Sequence, residues 1–163
     1  MKSNDAGKLV IAMVILGVAG VLLWRFASDE SGVSEKAFFY DVSEKKLFAG
    51  PRTAVPPIKG INDNTEDAVR AVVISTNGQP EDKSSRTIAY LEQYSPELKR
   101  QMEEAQRTGG SPMMGRGLAQ SHRFVRRVGD AQWFSLATPE GEKVVTEWAV
   151  PGANGITPVV CAP

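Results

Sequence analysis

The chain has 163 residues, with 19 Lys and Arg balanced by 19 Asp and Glu, one Cys, one His and 42% hydrophobic residues. That length holds one domain with an appendage, and the neutral charge balance argues against a strongly disordered chain and against a globally basic nucleic-acid binder. One Cys and one His exclude an intramolecular disulfide framework and a Cys/His zinc cage within one chain, so no metal or other cofactor is expected.

Leu9 to Trp24 runs without a polar side chain. As a helix it spans about 24 Å, and extending it from Ala6 to Ala27 reaches the roughly 30 Å of a hydrocarbon core. Lys8 and Arg25 stand where their charged heads reach the headgroups, and Trp24 and Phe26 flank Arg25 as an interfacial belt. A cleavable signal peptide needs small residues at −3 and −1, and cuts after Ala27 or Ser28 place Arg25 or Phe26 at −3. The run therefore reads as an uncleaved anchor. A pilin-like leader fails because Ala12 stands where its Glu belongs, and Gly17 and Gly20 do not make a Gly-xxx-Gly packing motif.

Lys2, Lys8 and the amino terminus precede the span, while Asp29, Glu30 and Glu35 follow Arg25. The positive-inside rule then puts residues 1–8 in the cytoplasm as a stub and the domain on the extracytoplasmic side of a cytoplasmic or inner membrane. The expected organisation is an anchor over 9–27, a small polar linker over 28–36 and an α+β domain over 37–163 with an antiparallel sheet backed by two or three helices.

Within that domain, 37–41 and 46–49 read as two strands around a polar turn, with Phe38 and Tyr40 on one face and Phe39 on the other. Pro51, Pro56 and Pro57 make a crossing. The β-branched run 68–76 reads as the central strand, closed by Asn77-Gly78 and Pro80. Ile88 and Leu91 suggest a helix over 86–93, and Ser95-Pro96 starts a second helix with Leu98, Met102 and Ala105 as its apolar stripe. The stretch 108–117 reads as a Gly-rich loop, 122–128 and 132–137 as strands, and Thr138-Pro139 as the start of a last helix with Val144, Val145 and Trp148 inward. The expected order is ββ–β–α–ββ–α.

Five arginines (Arg107, Arg116, Arg123, Arg126, Arg127) fall between Gln106 and Gly129 with no acidic residue among them. Guanidinium groups present paired donors to carboxylate or phosphate, so Arg116, Arg123, Arg126 and Arg127 form a candidate anionic-ligand face. The simpler reading pairs them with acids nearby in sequence, Glu103, Glu104, Asp130, Glu140 and Glu142. Phe38 and Tyr40, with Met113 and Met114 in the loop, are candidate partner contacts. The loop lacks the Gly-Lys-Ser/Thr ending of a phosphate-binding loop. His122 has the right ordinary titration range for a general base, but no nucleophile is legible beside it. Cys161 reads as a packed thiol.

Phe39-Tyr40-Asp41, Lys46-Leu47-Phe48, Pro56-Pro57-Ile58, Val69-Arg70-Ala71, Tyr90-Leu91-Glu92, Tyr94 before Ser95-Pro96 and the closing Cys161-Ala162-Pro163 together resemble small single-span bacterial membrane proteins. The resemblance implies a membrane anchor, and no catalytic or binding residue is carried over from it. The expectation is a non-enzymatic single-pass membrane protein with a structural or accessory role, its partners being the membrane and other membrane-complex proteins or itself, with no nucleic acid. An anionic-ligand module using the 107–127 arginines, and a hydrolase or transferase built on His122, are the alternatives.

Overall fold

The computed structural model describes Ala19, residues 34–62 and residues 65–163. The chain divides into two units, Met1–Ser34 and Glu35–Pro163, and the second carries every element below. The anchor expected over 9–27 lies, but for Ala19, outside the described residues, together with its flanks Lys8, Trp24, Arg25 and Phe26. Among the described residues no helix is long and apolar enough to cross a membrane.

Seven strands form one antiparallel sheet: β1 (Lys36–Asp41), β2 (Lys46–Pro51), β3 (Ala68–Ser75), β4 (Arg86–Tyr94), β5 (Arg123–Arg126), β6 (Phe134–Ser135) and β7 (Val159–Val160). Their spatial order is β2-β1-β3-β4-β5-β6. β1 pairs with the first half of β3 through Phe39 and Arg70. β7 takes over the same edge at Ile74, and Cys161 N continues it by donating to Val73 O at 2.8 Å. The helices of this second unit are α1 (Pro96–Thr108), α2 (Arg116–Ser121) and α3 (Pro139–Thr146). The α+β class and the antiparallel sheet are as expected.

Three local expectations are corrected. Residues 86–93 are not a helix but most of β4, and a bulge explains the false period. Val72 lies opposite Tyr90 while Val73 lies opposite Ile88, so Ala89 is an extra residue on β4. Ile88 and Leu91, three apart, thereby reach the same face, where helical spacing had been read. The 108–117 loop ends early, because α2 begins at Arg116. The order is accordingly ββββ–αα–ββ–α–β, with the closing strand β7 unforeseen.

One sheet face is a cluster of Val69, Ala71, Val73, Leu91 and Cys161, flanked by Phe38, Tyr40, Val42, Ile88 and Trp133. Among the described residues, no helical side chain belongs to it. On the other face Phe39 is fully buried against Phe48, ring centroids 5.9 Å apart. A side chain at Gly50 would meet the Phe39 ring at 3.0 Å, so that position is held to glycine by packing. Lys99 Nζ on α1 reaches Pro57 O and Glu66 Oε2, each at 2.6 Å, and Gln106 reaches Thr53 O at 2.8 Å. These contacts bind α1 to the Pro-rich crossing, which contains a cis Pro56–Pro57 bond.

Candidate functional site

The start of α1 follows from its sequence. Ser95 Oγ accepts from Leu98 N at 3.1 Å, and Pro96 occupies the first helical turn, where its missing N–H costs nothing. The same Oγ lies 2.8 Å from His122 Nδ1, while Ser95 N donates to His122 O at 2.8 Å. α1 is thus pinned to the residue between α2 and β5. With the Nε2–H tautomer the serine hydroxyl donates to Nδ1 and still accepts from Leu98. The pair forms a helix cap with a side-chain tie, and among the described residues no carboxylate hydrogen-bonds the other imidazole nitrogen.

Two residues along β4 from the bulge-shifted Tyr90 sits Glu92, only 5% exposed. Arg123 donates to its Oε1 from Nε at 2.8 Å and Nη2 at 2.7 Å. Burial opposes the charge of Arg123, but attraction to Glu92 and the hydrogen bond to it hold the guanidinium above its usual value. Tyr90 and Tyr94 are pushed up, first by burial and then by the Glu92 charge.

Arg123 faces a cavity of about 420 Å³. α1 lines it with Leu98 and Met102, the following loop with Ser111, Pro112 and Met114, α2 with Arg116 and Ala119, and β4 with Tyr94. Met114 N donates to Gln101 Oε1 at 2.9 Å, which ties the loop back onto α1. The Arg116 guanidinium makes no ion pair or hydrogen bond with another described residue.

The structure divides the arginines expected to act together. Arg116 and Arg123 share the cavity. Arg126 lies on the opposite sheet face, its guanidinium 4.5 Å above the Trp133 ring and its Nη1 2.7 Å from Asp130 O. Arg127 is held by Glu147, with Nη2 to Oε2 at 2.6 Å, and by Asp130 at 3.3 Å. Arg107 pairs with Glu104 at 2.6 Å. Sequence proximity found Glu104 and Asp130 but missed Glu92 and Glu147, which arrive from a neighbouring strand and from the turn after α3.

The candidate partner contacts separate likewise. Phe38 and Tyr40 are half-buried on the face opposite Phe39, with Arg86 5.9 Å over the Phe38 ring. Met113 is 96% exposed, whereas Met114 turns into the cavity. Among the described residues no group of three or more His, Cys, Asp or Glu is placed to hold a metal ion. Cys161 is buried beside Val73. No family model matches this chain, and no curated protein or solved structure matches it either.

Proposed function

We propose that the chain is a non-enzymatic single-pass membrane protein whose extracytoplasmic α+β domain acts as an accessory module, and that it engages an anionic ligand through Arg116 and Arg123. The apolar run over 9–24 supports the anchor. One observation carries the ligand reading: Arg107, Arg126 and Arg127 are engaged within the domain, while Arg116 and Arg123 line the same cavity. Its volume falls within the roughly 300–1,000 Å³ of small-molecule sites.

The test is purification of the full chain in mild detergent through a C-terminal tag, followed by native mass spectrometry. The expected result is an anionic adduct on the wild-type chain that Arg116→Glu removes, and resistance of the membrane-bound chain to alkaline carbonate extraction. A bare chain in both variants would overturn the ligand reading. Release by carbonate would overturn the anchor.

A further inference from the structure

We infer that the ligand of the α1–α2 cavity is an anionic amphiphile: an anionic head, carboxylate or phosphate, attached to an aliphatic or aryl chain that enters the cavity. This rests on the anion-binding reading above and specifies its ligand class. The walls of the cavity differ in chemistry by element. α1 contributes Leu98 and Met102, one helical turn apart, and the loop adds Pro112 and Met114. The cationic part of the lining is Arg116 from α2 and Arg123 from β5.

An anion with no apolar part satisfies the guanidiniums and leaves the α1 wall in water. An uncharged chain satisfies the α1 wall and leaves Arg116 unpaired. A ligand carrying both parts matches both parts of the lining. Two methionines suit a chain of variable length, because the thioether side chain is unbranched, flexible and polarisable. Glu92 fixes Arg123 from behind, so this guanidinium is oriented before any ligand arrives. A soluble fatty carboxylate and an anionic lipid of the bilayer share this chemistry.

The full chain carries five methionines, which makes methyl NMR a site-specific reporter. The chain is labelled at the methionine methyls, embedded in zwitterionic nanodiscs and titrated with hexanoate, octanoate, octyltrimethylammonium and inorganic phosphate. Octanoate should shift the Met102 and Met114 methyls saturably and leave the exposed Met113 methyl in place. Binding should weaken about tenfold on removing two carbons. Arg116→Ala should weaken octanoate at least fivefold. Ala119→Leu, which fills the cavity while keeping both arginines, should abolish the shifts.

If anionic phosphatidylglycerol nanodiscs reproduce the shifts with no added carboxylate, the bilayer is the source and the inference stands. Inorganic phosphate binding as tightly as octanoate overturns the amphiphile class and leaves the anion reading intact. Equal binding of octyltrimethylammonium, or no methionine shift with any probe, overturns both.

Discussion

Arg123 and Glu92 form a diagonal ion pair between neighbouring strands: Glu92 lies opposite Val125 and Arg123 opposite Tyr94. The carboxylate is almost wholly buried, whereas the Arg123 side chain is 37% exposed and opens on the cavity. The same guanidinium thus neutralises an interior charge and presents donors outward.

Removing one partner of such a pair leaves an uncompensated charge, at a cost of roughly 3–5 kcal/mol when both are buried. Because Arg123 is partly exposed, Arg123→Ala is expected to cost about 2–3 kcal/mol. The double variant Glu92→Leu, Arg123→Leu should recover most of that loss, since neither charge is then buried. Urea unfolding midpoints of the full chain measure both.

Asp41 is fully buried and accepts from Ser43 Oγ at 3.0 Å, Glu44 N at 2.8 Å and Ile61 N at 2.8 Å. The backbone donors Glu44 and Ile61 hold its carboxyl below the usual value. A lowered folded value gives stabilisation that is complete above the ordinary carboxylate range and is lost as pH falls through that lowered value. Asp41→Asn, whose amide nitrogen cannot accept, should lower Tm most near pH 7, and the gap to wild type should close below about pH 4. Thermal unfolding followed from pH 7 to pH 2 checks the trend. A gap independent of pH would refute it.

Ser95 serves two partners, so its loss is not local. Ser95→Ala should cost about 1 kcal/mol through the cap alone. A double-mutant cycle with His122→Ala should show a coupling of about 0.5 kcal/mol or more, because the two side chains share a hydrogen bond. Additive losses would mean that the 2.8 Å contact contributes nothing to stability.

Gly141 lies in the first turn of α3 against β6, where a Cβ would stand 2.1 Å from Ser135 O. That neighbour is backbone and cannot rotate aside. Gly141→Ala should therefore destabilise by about 2–3 kcal/mol despite the better helix propensity of alanine. A stability equal to or above wild type would show that α3 moves outward freely.

Features written in neighbouring residues were legible before any coordinates. The β1–β2 hairpin follows from period-2 alternation about a polar turn, β3 from its β-branched run, and the starts of α1 and α3 from Ser95-Pro96 and Thr138-Pro139. The separation of Phe38 and Tyr40 from Phe39 also needed only the pleat. Tertiary structure decided the rest. Ala89 bulges only because β3 provides one residue fewer across from it, so the spacing of Ile88 and Leu91 carries no helical meaning until the partner strand is known. β7 is two residues long, and its reason to be a strand is the open edge of Val73 to Ser75 left by β1. The arginines make the same point in charge. Their sequence fixes five cations in one stretch, but which are neutralised depends on carboxylates brought from Glu92 and Glu147, and that long-range pairing left Arg116 and Arg123 to line the same cavity.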